Sequence, residues 1–252
     1  MTENYKDKEW MYNKYEKEKL STYQIAKLCE VGKTSINRWL TRLEIAKRST
    51  SESTHLAICN HSNISQKARE WICGELLGDG CLQTRSSRSA VFQYGSKYLE
   101  YTEYIRDTLK SFGINQAGKI YKRHHKELNY YSYSYCSRSY IELLKIYKRW
   151  YPKVKKIVPK NIVLTSLTCR QWYIGDGSLV RHKRGKPYIV LATNGFSILS
   201  VKQLVKQLRE LGFGATRRPS VNTINISTRS TKEFLNYIGE SPTNCYRYKF
   251  AY

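Results

Sequence analysis

No stretch of 18 consecutive apolar residues occurs in this chain of 252 residues, so no membrane-spanning helix is expected. A secretory signal pattern and a long basic amphipathic helix are missing too, which argues against a membrane partner and for a cytoplasmic, intracellular protein. The seven cysteines, Cys29, Cys59, Cys73, Cys81, Cys136, Cys169 and Cys245, contain no Cys-x-x-Cys and no framework spacing. Reduced thiols are the expectation. His124–His125 and three scattered histidines form no zinc pattern. Carboxylates are scarce: twenty Asp and Glu stand against forty-four Lys and Arg, a formal charge of +24. Such an excess opposes compaction by self-repulsion. A nucleic acid is the partner that relieves it, because Lys and Arg that neutralise phosphates release condensed counterions.

The charge is uneven. Residues 1–66 carry 11 basic and 8 acidic side chains, whereas residues 67–252 carry 33 and 12. In the second stretch the cations interleave with tyrosines, as in Lys119–Tyr121–Arg123 and Arg247–Tyr248–Lys249. Residues 18–46 read as a helix-turn-helix. Ser21 caps a short helix with Ile25, Ala26 and Leu28 turned inward, and Glu30-Val31-Gly32 makes the turn. A second helix over Lys33–Leu43 has Ile36, Trp39, Leu40 and Leu43 on one face. Its other face offers Lys33, Thr34, Asn37 and Arg38 to base edges and phosphates. This part resembles bacterial helix-turn-helix modules, so 1–48 is expected to be a small all-α DNA-binding domain. The Ser/Thr-rich residues 49–66 read as a linker.

The remainder divides into two related halves, 67–160 and 161–252. Leu77-Gly-Asp-Gly-Cys-Leu82 returns 97 residues later as Ile174-Gly-Asp-Gly-Ser-Leu179. Tyr104–Ile114 is echoed by Leu204–Phe213, and Cys136–Leu144 by Ser227–Leu235. Each half reads helix, two strands, helix, two strands, helix. The strands include Ala90–Tyr94, Tyr188–Ala192, Tyr130–Tyr135 and Thr223–Ser227. The predicted class is α+β, with two pseudo-symmetric αββαββα repeats built on curved, saddle-shaped antiparallel sheets.

The chain has only four aspartates, and two of them, Asp79 and Asp176, occupy the repeated Gly-Asp-Gly. Each closes an apolar helix, with Gly80 and Gly177 as natural terminators. An anion there opposes the helix dipole by about 0.3–1 kcal/mol, so as a cap it is a poor choice and as a ligand for a hard cation a good one. If the halves pack about a two-fold axis through these helices, Gly74, Gly78 and Gly175 allow close approach and the carboxylates meet. With backbone carbonyls at Gly78 and Gly175 and phosphate oxygens, they would hold Mg²⁺ or Mn²⁺ ions about 4 Å apart for phosphodiester hydrolysis. Glu75, one turn before Asp79, is expected on the helix surface or against the first strands.

At these residues the chain resembles the LAGLIDADG homing endonucleases, whose motif helices end in an acid followed by Gly. The resemblance covers 67–252 and departs at Glu75, Leu77 and Gln171. It implies a monomer acting as a pseudo-dimer, a long double-stranded DNA target, and metal binding by Asp79 and Asp176. A basic residue near the cleft is implied as well. Lys156 and Lys249 are the candidates, with Lys155 and Arg247 as competitors. The implied reaction is Mg²⁺-dependent cleavage of both strands across the minor groove. DNA contacts are expected at Gln83, Arg85, Arg88, Lys122, Arg123, Arg181, Lys183, Arg184, Arg217 and Arg218. The rival reading is a non-cleaving DNA-binding regulator or an RNA maturase on the same fold.

Overall fold

The computed structural model describes residues 4–252 apart from 50–52, 54–59, 61, 154 and 184, and apart from the side chains of Arg85 and Ser86. Of the residues expected at the DNA, Arg184 and the side chain of Arg85 therefore lie outside the described set. The chain forms two units, Met1–Asn60 and His61–Tyr252. Among the described residues no helix is long and apolar enough to cross a membrane.

Among the described residues, the first unit holds the α-helices α1 (Lys8–Tyr12), α2 (Thr22–Leu28) and α3 (Lys33–Arg42). Asp7 caps α1, which runs on into a π-helical turn over Asn13–Lys17 that the sequence reading did not anticipate. Ser21 and Gln24 form a reciprocal capping box at the start of α2. The core gathers Met11, Tyr15, Ile25, Ala26, Cys29, Ile36, Leu40 and Ile45, with Trp39 and Leu43 packed at its edge. One inward position is corrected. Leu28 is 58% exposed, and Cys29, one turn after Ile25, takes its place in the core. Arg48 closes the unit by stacking its guanidinium 3.8 Å from the Tyr15 ring centre.

The second unit runs α4 (Gln66–Leu77), β1 (Cys81–Ser86), β2 (Ser89–Ser96), α5 (Leu99–Ser111), β3 (Tyr121–His125), β4 (Tyr130–Cys136) and α6 (Ile141–Trp150). The same order returns as α7 (Ser166–Asp176), β5 (Gly177–His182), β6 (Gly185–Leu191), α8 (Ile198–Glu210), β7 (Ala215–Arg218), β8 (Thr223–Ile226) and α9 (Thr228–Ile238), followed by the short α10 (Arg247–Phe250). Both sheets are antiparallel, in the orders β1-β2-β4-β3 and β5-β6-β8-β7. The α+β fold of two pseudo-symmetric repeats is therefore as the sequence predicts.

Local chemistry explains the repeat. Ser65, Thr165, Ser197 and Ser227 each cap a helix by accepting from the backbone N–H three residues on. The echoed Phe112-Gly113 and Leu211-Gly212 end α5 and α8 with glycine at φ 78° and 91°. One core spans both halves, with Trp71 of α4 and Trp172 of α7 buried at its centre. The end of the expected linker is part of this unit: Ser62 Oγ donates to Phe112 O (2.9 Å) and Ile64 lies in the core.

Candidate active site

The two motif helices, α4 and α7, meet backbone to backbone. A Cβ added to Gly78 would lie 3.2 Å from Gly175 Cα, and one added to Gly175 would lie 3.0 Å from both Gly78 Cα and Asp79 N. One turn earlier, a Cβ at Gly74 would meet Thr168 O at 2.6 Å and Gln171 Cβ at 2.7 Å. The glycines are thus required by approach. Gly80 and Gly177 differ from the sequence expectation here: neither adopts the left-handed conformation of a terminating glycine. Gly80 makes room for the Glu75 carbonyl and Gly177 for the Tyr173 ring. Because Asp79 and Asp176 directly follow Gly78 and Gly175, this contact brings both carboxylates to the seam between the halves.

Two lysines close on the same spot. Lys156 Nζ donates to Gly78 O (3.2 Å) and Gly80 O (3.0 Å), and Lys249 Nζ to Ile174 O (2.6 Å) and Gly175 O (3.3 Å). Each ammonium therefore sits on the terminal carbonyls of a motif helix, where the dipole favours a cation. The Tyr173 hydroxyl holds the second lysine in place by donating to Lys249 O (2.5 Å). The competitors Lys155 and Arg247 are exposed. Burial pushes the Asp176 carboxyl up to about 6, helped by repulsion from Asp79. Burial also raises Asp79, against the pull of Lys249 and Lys156. The same desolvation lowers both lysines. Four ionisable groups thus share one partly desolvated centre.

The residues fit a hard divalent cation. An exposed Asp79 beside a half-buried Asp176, both raised by desolvation and Asp176 further by repulsion from Asp79, make a site whose charge such an ion would balance. Among the described residues no three His, Cys, Asp or Glu side chains cluster in metal-holding geometry. The remaining ligands would therefore be backbone carbonyls, water and phosphate oxygens. The carbonyls of Gly78 and Gly175 each accept from a lysine, and a carbonyl oxygen keeps a second lone pair.

Glu75 is not on the surface. It is 2% exposed and accepts from Tyr101 Oη (2.7 Å) and from Gln171 Nε2 (2.9 Å) across the helix pair. Burial raises its carboxyl to about 8. The sequence signal was Gly74 opposite the non-equivalent Gln171: a small residue facing a long polar one marks an inward position.

Strand alternation sorts the expected DNA contacts. In the first sheet Leu82, Phe92, Tyr94 and Tyr135 enter the core. Cys81, Gln93, Gly95, Tyr121, Ser134 and Cys136 line the hollow beside Asp79. Gln83 and Arg123 share this open face by register, whereas Lys122 points the other way, 4.0 Å from the Tyr131 ring centre. In the second sheet Arg218 is on the open face and Arg217 on the helix side, donating to Asn222 Oδ1 (2.8 Å). Arg181 turns to the C-terminal segment and donates to Ala251 O. Arg88 and Lys183 lie in the turns after β1 and β5. On α3, Lys33, Thr34 and Arg38 are exposed and Asn37 half-buried, opposite Ile36 and Leu40. Gln93 and Ser134 on the open face fall outside the sequence reading, because pairing across the sheet puts them there and no single-strand period shows it.

The LAGLIDADG DNA endonuclease family model matches residues 69–234. An uncharacterized protein of Methanocaldococcus jannaschii is 32% identical over 203 residues, covering 80% of this chain and 77% of its own. Among solved structures, the homing endonuclease I-WcaI bound to its DNA recognition sequence superposes with a TM-score of 0.66 at 18% identity, covering 84% of this chain and 97% of that one. I-DmoI in complex with DNA and Mn overlaps more loosely, with a TM-score of 0.42 at 14% identity over 69% of this chain and 99% of its own. With its paired motif helices, duplicated sheets and family match, this chain belongs to the LAGLIDADG DNA endonuclease family.

Proposed function

We propose that the chain is a site-specific endonuclease that hydrolyses both strands of a long duplex DNA target, working as a monomer whose two halves play the parts of a dimer. The observation that carries this is the meeting of Asp79 and Asp176 at the Gly78–Gly175 contact, with Lys156 and Lys249 on the adjoining carbonyls. Mg²⁺ or Mn²⁺ bound there would offset charge on the scissile phosphate and lower the pKa of an attacking water. Asp79 and Asp176 supply the anionic oxygens, with Gly78 O and Gly175 O beside them. Lys156 and Lys249 hold positive charge where the phosphate oxygens gain negative charge as phosphorus becomes five-coordinate. The net +21 of residues 67–252 supports duplex binding. The I-WcaI structure, which has the same fold and is bound to its DNA recognition sequence, supports DNA as the partner.

In this reading the first unit is an accessory DNA reader. Residues 1–66 add only +3, so α3 contributes base contacts through Lys33, Thr34, Asn37 and Arg38 more than bulk attraction. The test is incubation of the full chain with a random duplex library and Mg²⁺, followed by sequencing of cut ends. Recurrent paired cuts in one sequence context are the expected result. A library left intact while the protein binds duplex would sink the cleavage reading and favour a regulator.

A further inference from the structure

The two sheets present different chemistry at equivalent places. Gln83 stands four residues after Asp79 and Gln93 fourteen; Val180 and Val190 stand four and fourteen after Asp176. The registers match as well. Gln93 pairs with Cys81 across β1 and β2, and Val190 with Ser178 across β5 and β6. All four side chains point away from the core, because their strand neighbours Leu82, Phe92, Ile189 and Leu191 are buried in it and Leu179 packs against it. Gln83 is exposed and the other three are half-buried. Gln93 also lines the hollow at Asp79, donating weakly to Cys136 Sγ (3.8 Å). The halves thus carry an amide pair on one open face and an apolar pair on the other, at matching positions after Asp79 and Asp176.

These pairs cannot read the same bases. A glutamine amide matches the N6 and N7 of adenine in the major groove, while a valine has no polar atom and makes its favourable contact with the thymine 5-methyl group. Resting on the endonuclease reading above, we infer that Val180 and Val190 select thymine methyl groups in one half-site, while Gln83 and Gln93 select adenine in the other, so that the target is not a palindrome at these positions. Discrimination of about tenfold per position is expected from contacts of this kind.

The experiment selects bound duplexes from a random pool with the full chain, and in parallel with a variant carrying Gln83→Val and Gln93→Val. The changes lie on the open face, and valine favours strands, so thermal melting should be unaltered. The variant should replace the first-half adenines with the thymines selected opposite Val180 and Val190. Deoxyuridine at those thymines should then weaken binding about three- to tenfold. A reciprocal variant, Val180→Gln with Val190→Gln, should shift the second half-site toward adenine. Unchanged base preferences in both variants, or equal binding of thymine and deoxyuridine, would overturn the inference. If the unaltered chain enriches no duplex at all, the endonuclease reading itself falls.

Discussion

The side-chain amide of Gln171 on α7 donates to the carboxylate of Glu75 on α4 at 2.9 Å, inside the core and directly over Gly74. A buried hydrogen bond from an amide to a carboxyl oxygen joins the two halves one turn away from the aspartates.

The burial of Glu75, which outweighs the opposing pull of its hydrogen bonds, has a pH signature. The Glu75 carboxyl is held at about 8 in the folded chain against an ordinary 4.5, so between these values the folded state binds a proton that the unfolded state releases. Its contribution to stability is complete below about pH 4.5 and lost as pH rises through about 8. Melting temperature should fall over that interval, and Glu75→Gln should flatten the fall. Parallel curves for the two proteins would exclude Glu75 as the source.

Replacing Asp79 or Asp176 with Asn should abolish double-strand cleavage while duplex affinity, measured by gel shift in Ca²⁺, stays within about threefold. Either single variant cutting both strands at the normal rate would contradict the assignment.

Lys156→Met and Lys249→Met should each slow single-turnover cleavage at saturating protein by about tenfold or more, roughly 1.4 kcal/mol in barrier. Affinity should change little. A contact that serves only to hold phosphate would give the reverse, with weaker binding, a shallower salt dependence and a near-normal saturated rate.

Gly175→Ala places a methyl 3.0 Å from backbone atoms on the partner helix, where nothing flexible can yield. A destabilisation of about 1–3 kcal/mol is expected. Gly195→Ala, whose added carbon would meet nothing within 4 Å, is the control. Equal urea midpoints for the two variants would remove the helix contact as the explanation.

A protein beginning at His61 keeps Ser62 and Ile64, which belong to the second unit. It should cut at the same sequence but at higher concentration, with a footprint shortened on one side. An unshortened footprint would remove the first unit from DNA reading.

The duplicated Gly-Asp-Gly made the repeat, the order of elements and the pairing of Asp79 with Asp176 legible, because the same local signals had to build the same helix twice. Lys155 and Lys156 were indistinguishable in sequence, since the stretch after α6 has no period to orient them; Lys156 alone reaches the helix carbonyls. The burial of Glu75 was misjudged because a carboxylate is costly to bury, and its partners Tyr101 and Gln171 are 26 and 96 residues distant. Lys122 and Arg123 were grouped as neighbours, although adjacent strand residues face opposite sides. The helix over residues 8–17 escaped because its few apolar residues give too short a pattern to register.

The contact of Gly78 with Gly175 is made by main-chain atoms alone. The separation of the two carboxylates is consequently fixed by the chain's own spine, while the residues that would distinguish one duplex from another stand on strands several residues further on. On the endonuclease reading proposed above, substitutions on the strands would change which duplex is held and leave the spacing of the two carboxylates as it is.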